Sequence, residues 1–410
     1  MIESLAKTLK EREAVLEKWW REKTAGLQLP ITCSVDIRNA GYKIAGIDTN
    51  LFPAGFNNFC NAFQKGATTA LQDYILKYHP KTKKILLIPE SFTRNLNYFK
   101  NVKTIQTMLE NGGFEVRVGF VGDPLPGDPH SVPLPDFSSP LEIFRTIRNG
   151  NRLSAKGFDP DLIFLNNDCS AGIPESLLDI AQPITPNPEL GWHARSKYHH
   201  FQLYCQLLRE WAGLMDMDGW RFCPISQVEE NIDVDRPEDL QRLAAEVKKL
   251  LTKIQQKYDQ YGIPEKPFVF IKDNAGTFGM GVLPVESAEE VLALNRKRRK
   301  QLTNARTFLL QEGIPTIDHL QGAPVEPVFY FVGEVNVGGF FRIHADKDNR
   351  SSLNAPGAKF DCLCVHKTSE LAPQKLDLHC KSSEQFFKVA EWVGKIACLA
   401  AGLEEKELLG

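Results

Sequence analysis

The stretch Phe268-Val-Phe-Ile-Lys272-Asp-Asn-Ala-Gly276-Thr277-Phe278-Gly279-Met280-Gly281-Val282 constrains the fold more than any other part of the chain. A β-branched and aromatic run delivers a lysine, and a glycine-rich loop follows at once. Glycine lets backbone N–H groups approach an oxyanion with no Cβ in the way. Successive amides in such a turn form an anion-binding nest, and Lys272 adds a full positive charge beside it. Here the lysine precedes the glycines, so this is not a Walker loop, in which the lysine closes the string. The expected local structure is strand, loop, strand, with a plain tight hairpin as the alternative.

A second signature follows. Thr307-Phe-Leu-Leu-Gln311-Glu312-Gly313-Ile314 reads as a strand ending in polar residues. Glu326–Val332 and Val335–Arg342 are two apolar runs joined by Gly333-Glu334, which predicts a hairpin. Arg350-Ser-Ser-Leu-Asn354-Ala-Pro-Gly357 is a polar loop beyond it.

Upstream, residues 1–30 predict an amphipathic helix packed on the main body. Residues 31–101 carry dense polar punctuation, including Asp36, Arg38, Lys43, Asp48, Asn50 and Asn57. A buried Asp or Arg costs several kcal/mol unless it is paired, so most of these groups are expected to face solvent or a ligand. Lys83–Pro89 predicts a parallel strand, with Glu90, Thr93 and Arg94 just past its end. A helix over 102–111 stopped by Gly112-Gly113, and a strand over 114–121, complete a doubly wound pattern. Residues 161–165 repeat it, with Asn166-Asn167-Asp168 at the strand end. The stretch 122–139 is expected to be a loop.

From Ser196 the chain is expected to be helical through Trp211, with Arg195 and Lys197 at its start. His199 and His200 are adjacent, so they point in different directions on a helix and make a poor metal pair. Pro237–Tyr258 predicts a long charged helix. Ser287-Ala-Glu-Glu290 is a capping box opening a helix expected to run on to the basic run Arg296–Lys300, where cations suit the macrodipole.

The length of 410 residues suggests two or three lobes. A net charge of −2 implies neither nucleic acid nor a membrane surface as a partner. No apolar run approaches a membrane span, and the charged N-terminus does not read as a signal peptide. Nine scattered cysteines predict mostly buried thiols in a reducing cytoplasm. Cys362 and Cys364, one residue apart, fit one strand face and not a CxxC pair.

With these motifs laid out, the chain resembles the ATP-grasp-type glutamate–cysteine ligases of some proteobacteria. Ile31–Phe59, Ile88–Asn95 and Lys272–Val282 carry the resemblance most specifically. It implies an α/β fold with an N-terminal helix (1–30), a doubly wound substrate-side domain (31–190) and an ATP-grasp nucleotide-binding domain (191–410). It further implies ATP and Mg²⁺, glutamate and cysteine as substrates, and γ-glutamylcysteine as product, the first step of glutathione synthesis. Lys197, Lys272, the loop Gly276–Gly281 and the hinge Gln311–Ile314 would hold nucleotide. Arg342, Arg350 and Lys272 would stabilise the transferring phosphoryl group. Arg38, Asp48, Asn50, Asn57, Arg94 and Arg195 would receive the amino acids, with Asp36 as a further partner for their ammonium groups.

One element is missing from its expected place. Bacterial glutathione synthetases carry a Glu-x-Asn metal motif on a strand after the last helices, and here only a helix over 385–401 precedes Gly410. Glu334-Val-Asn336 has the spacing but sits in the hairpin. The metal candidates are therefore Glu326, Glu334, Asn336 and Asn354, and a further C-terminal segment is an open alternative. Two other functions stay open: an ATP-grasp ligase for another acid and amine, or a non-catalytic nucleotide-binding protein.

Overall fold

The computed structural model describes residues 1–90, 95–122, 127–275, 281–302, 305–364, 376–377 and 383–409. The predicted N-terminal helix is two helices, α1 (Ile2–Glu11) and α2 (Glu13–Thr24), separated at Arg12. The break lets both apolar faces reach the same core, since Leu5, Leu9, Leu16, Trp19 and Trp20 are all buried in it.

The first sheet is built from both ends of the chain. Strands β1 (Cys33–Asn39) and β2 (Ile44–Asn50) form an antiparallel hairpin at one edge. Near the other end of the sequence, β15 (Ala323–Val332), β16 (Val335–Ile343) and β17 (Lys359–Cys362) continue the sheet, β1 pairing with β15. The hairpin around Gly333-Glu334 is as predicted. A domain boundary at 190 therefore does not separate hydrogen-bonded units, because residues 33–50 complete a sheet whose other main strands begin at residue 323.

The second sheet is antiparallel, in the order β10 (Ser226–Glu229), β13 (Phe308–Glu312), β11 (Val269–Asp273), β12 (Val282–Val285). Helix α6 (Pro237–Tyr261) covers it with Leu243, Val247, Leu250 and Ile254. Proline suits the first helical position, and Gly262 ends the helix in the left-handed conformation at φ 62°. The basic run is not the end of the helix capped by Ser287: α7 (Ala288–Leu292) stops, and α8 (Arg296–Leu302) is a separate short helix.

The third sheet has a parallel core with one helical crossover among the described residues. Strands β3 (Lys84–Pro89), β4 (Glu115–Phe120), β8 (Leu162–Asn166) and β9 (Ile184–Thr185) are parallel, with α4 (Leu96–Asn111) joining β3 to β4. The loop expected over 122–139 contains β5 (His130–Val132), which pairs with β6 (Leu141–Asn149). Helix α3 (Asn61–Tyr78) packs against the first sheet and against α4.

The closing helix, α9 (Ser383–Leu409), lies against α5 (Lys197–Gly213) and the back of the first sheet. Val389, Val393, Ile396, Ala397, Leu399 and Ala400 are fully buried there. The helix is therefore central to the core, and among the described residues no helix is long and apolar enough to cross a membrane. Cys205 and Cys223 form a disulfide, which departs from the expectation of a reducing environment, while Cys33, Cys169 and Cys398 are buried free thiols as expected.

Candidate active site

Strand β1 alternates Cys33-Ser-Val35-Asp36-Ile37-Arg38, and side chains on a strand alternate between faces. Cys33, Val35 and Ile37 go into the core beneath α9. Asp36 and Arg38 therefore share the opposite face. Asp36 lies directly across from Asp48 on β2, and Glu326 on β15 lies across from Arg342 on β16. One sheet face thus gathers three carboxylates and two guanidiniums.

These groups pair tightly. Arg342 donates to both Asp36 and Glu326, the latter at 2.6 Å. Arg38 donates through Nε to Glu326 at 2.8 Å and through its two terminal nitrogens to the carbonyls of Ile314 and Ser351. Burial raises the Asp36 carboxyl to about 6, with Arg342 opposing and the neighbouring Glu326 and Asp48 adding to it. Glu326 is held below its ordinary value because, against its burial, Arg38 and Arg342 both face it.

The second sheet supplies lysine. Lys272, at the end of β11, donates to Gln311 Oε1 at 2.7 Å and to the Ile47 carbonyl at 2.9 Å. Burial lowers it to about 8, against the attraction of Asp48. Lys197 donates to Asp48 Oδ1 at 2.7 Å, with its ammonium 4.0 Å from the Trp192 ring centroid. Asp48 is in turn held far below the usual carboxylate range: burial opposes, but Lys197 and Lys272 prevail. The start of α5 is stapled to the end of β11, since Lys197 N donates to the Asn274 carbonyl and Tyr198 N to its side chain. The sequence motif and the helix start therefore converge. Four cations (Arg38, Lys197, Lys272, Arg342) face three carboxylates (Asp36, Asp48, Glu326) where the first and second sheets meet.

Among the described residues, two buried donors there have no partner, Gln311 Nε2 and Arg342 Nε. An unsatisfied buried donor is costly, and both suit an anionic acceptor. The Glu312 carboxylate behaves differently. One oxygen accepts from Lys43 at 2.6 Å, Trp220 and Ile225 N, while the other, Oε1, has no partner. This fully buried pair ties the β1–β2 turn to β13.

Several expected site residues are occupied elsewhere. Arg195 is buried with its guanidinium on Glu404 at 2.8 Å and the Thr49 carbonyl at 2.6 Å, so it joins the start of α5 to α9 and β2. Arg350 is half-buried, paired with Glu286 at 2.9 Å, donating to the Lys266 carbonyl and lying over the Phe268 ring. The hinge is more closed than expected: Gly313 N donates to the Phe268 carbonyl, and the Ile314 carbonyl accepts from Arg38. Glu326 is enclosed between two guanidiniums, whereas Glu334 and Asn336 are at the hairpin tip. The hairpin rise of about 3.3 Å per residue sets Glu326 and Glu334 some 26 Å apart, too far for one metal. Asn336 Oδ1 accepts from Gly338 N, and Asn354 lies in the loop after β16. Arg94 and Gly276, Thr277, Phe278, Gly279 and Met280 lie outside the described residues. Gly281 closes that loop at φ 71°, its carbonyl accepting from Asp273 N.

The acid-x-Asn pattern sought near the C-terminus occurs near the start instead. Asp48-Thr49-Asn50 occupies β2, with Asp36 opposite Asp48 and Asn50 Nδ2 donating to Asp48. These residues are legible as a motif, but their place early in the chain hid them from a metal reading. The loop after β2 then reaches the doubly wound sheet: the Pro53 carbonyl accepts from both Asn101 and Asn166. Asn57 sits in the 3₁₀ turn Phe56–Asn58 of that loop. Beyond β3, Glu90 is raised to about 7 by burial and by Asp168 past β8. Ligands bind at such strand ends in open α/β sheets.

Comparison with known proteins is consistent with this geometry. The family model for glutamate–cysteine ligase matches residues 6–405. The crystal structure of a "Putative gamma-glutamylcysteine synthetase" from Methylobacillus flagellatus KT has a TM-score of 0.88 and 35% identity, covering 99% of this chain and 96% of its own. A D-alanyl-alanine synthetase A from Vibrio cholerae has a TM-score of only 0.37 and 13% identity over 76% of this chain and 80% of its own, a likeness that carries no argument. No curated protein matches the sequence. The chain belongs to the glutamate–cysteine ligase family, whose members join glutamate to cysteine.

Proposed function

We propose that the charged cleft between the first and second sheets performs ATP-dependent ligation of the γ-carboxylate of L-glutamate to the amine of L-cysteine in an ATP-grasp arrangement. The observation that carries this reading is the meeting of Lys197, Lys272 and Arg342 with the unpartnered donors of Gln311 and Arg342.

A carboxylate does not react with an amine at neutral pH, because oxide is the leaving group. ATP supplies the phosphoryl group that turns one γ-carboxylate oxygen into a leaving group. Lys272 and Lys197 hold the phosphates, and Arg342 neutralises charge on the transferring group, the main demand of phosphoryl transfer. The cysteine nitrogen then bonds to the γ-carbon, the C–O bond to phosphate breaks, and the amine loses a proton. Asp36, Asp48 and Asn50 would hold Mg²⁺, hard oxygen donors of the kind this ion takes, and the ion would supply charge neutralisation between phosphate oxygens. The burial that raises Asp36 in the free protein, with Glu326 and Asp48 adding to it, fits a cation that draws it into the ionised form. Glu90 and Asp168, across the loop that carries Asn57, are placed to receive substrate ammonium groups. Near-balanced charge and small-molecule substrates fit a cytoplasmic enzyme without nucleic acid.

A coupled ADP-release assay tests the reading. ADP should form with glutamate and cysteine together, and 2-aminobutyrate should replace cysteine, since nitrogen attacks. ADP release with another acid and none with glutamate would move the protein to a different ligase reaction.

A further inference from the structure

Away from the charged cleft, three sulfur atoms meet where the ligation has no use for them. Cys60 is the residue before the first turn of α3, Cys362 ends β17, and Cys364 follows two residues on. Their Sγ atoms all lie within 4.8 Å of one another, and all three residues are half-buried. The Cys362 and Cys364 sulfurs are 3.2 Å apart, and Cys60 N donates to Cys362 Sγ at 3.3 Å. The pieces come from distant parts of the sequence, so adjacency in the chain explains only one of the three contacts.

Thiolates bind zinc at about 2.3 Å. Three sulfurs around one such ion stand about 3.8–4.0 Å from each other by that bond length, a spacing that small side-chain rotations reach from sulfurs all within 4.8 Å. Soft thiolate donors select zinc and monovalent copper over magnesium or calcium. Three thiols cannot all satisfy one another as disulfides, whereas one cation can use all three. Position adds support. Cys60 stands at the N-terminus of an 18-residue helix, where backbone N–H groups and the helix dipole favour negative charge.

We propose that Cys60, Cys362 and Cys364 form a trithiolate site for one thiophilic d¹⁰ cation, with Zn²⁺ as the reference member and solvent at the remaining position. Bound there, the ion ties β17, the edge of the first sheet, to the start of α3. Phe360, two residues before Cys362, pairs with Arg342 on β16. The site therefore lies one strand away from the cleft and is chemically independent of it.

The test uses the full-length protein, reduced and stripped of metal, with no amino-acid substrate present. Cd²⁺ titration followed by thiolate-to-metal charge-transfer absorbance should saturate at one equivalent, and Zn²⁺ should displace it. Cys60→Ser, Cys362→Ser and Cys364→Ser should each weaken binding at least tenfold, while Cys169→Ser leaves it unchanged. In unaltered protein, Zn²⁺ should protect these three cysteines from alkylation, located by peptide mapping, so the result does not rest on the variants folding. Zn²⁺ should also raise the melting temperature in proportion to ln(1 + [Zn²⁺]/Kd), an effect absent from the triple serine variant. Undiminished binding by that variant, protection falling on other cysteines, or no saturable absorbance would overturn the proposal.

Discussion

At the residue scale the cleft makes sharp demands on charge. Lys272 must be cationic to hold phosphate, yet burial has lowered it to about 8. We expect kcat/KM for ATP to fall on the alkaline side with a midpoint near pH 8, and Lys272→Arg to move that limb upward. The stability sign is opposite to the usual lysine. Between about 8 and 10.5 the unfolded chain binds the proton and the folded one does not, so this group makes stability rise with pH across that window. Lys272→Ala should cost most of the ATP affinity or rate; unchanged kinetics at limiting and saturating ATP would refute its role. Asp36 gives a second test. Its carboxyl, at about 6, binds its proton more strongly folded than unfolded, so its contribution to stability falls as pH rises from about 3.8 to 6. Asp36→Asn should therefore leave the fold intact at neutral pH, with Arg342 still on Glu326, while cutting kcat at least about tenfold, the kinetic equivalent of about 1.4 kcal/mol. Wild-type rates with wild-type Mg²⁺ dependence would remove Asp36 from the metal set.

At the scale of elements, the buried ion pairs sort catalytic residues from structural ones. Arg195 joins α5 to α9 through Glu404, which also bonds His200. Removing one partner of a buried pair costs about 3–5 kcal/mol because the other charge is left uncompensated. Arg195→Ala should therefore lower the denaturation midpoint strongly while the folded fraction keeps its KM for glutamate and cysteine. Arg38→Ala should act the same way, since its guanidinium is committed to Glu326 and two carbonyls; a raised amino-acid KM with unchanged stability would restore it to the substrate site. This is also where sequence reading reached its limit. The strand–lysine–glycine motif, the hairpin and the parallel strands were legible because each is local: a period, a turn residue, a cap. Arg195 reads as a ligand residue in sequence because a guanidinium looks the same whether it meets a ligand or a glutamate 209 residues away. The Asp48-Thr49-Asn50 pattern was visible, but pairing between β1 and β15 cannot be read from local periodicity.

At the scale of the molecule, Lys43 and Glu312 link the first sheet to the second in a fully buried pair. Glu312→Ala should destabilise by about 3–5 kcal/mol, and the double variant Lys43→Met with Glu312→Leu by clearly less. A double-mutant cycle in denaturant measures the difference, and additive losses would mean that the two residues act separately. The shared first sheet has a consequence in time. Asp36 and Arg342 are 306 residues apart, and at ribosomal rates of about 5–20 residues per second roughly 15–60 s separate their synthesis. Through that interval the β1–β2 hairpin has no β15 beside it and carries an open edge ready to pair with another chain. Nascent chains halted before residue 323 should therefore hold Asp36 and Arg38 accessible and engage chaperones through this hairpin, long before any ligase exists to be measured.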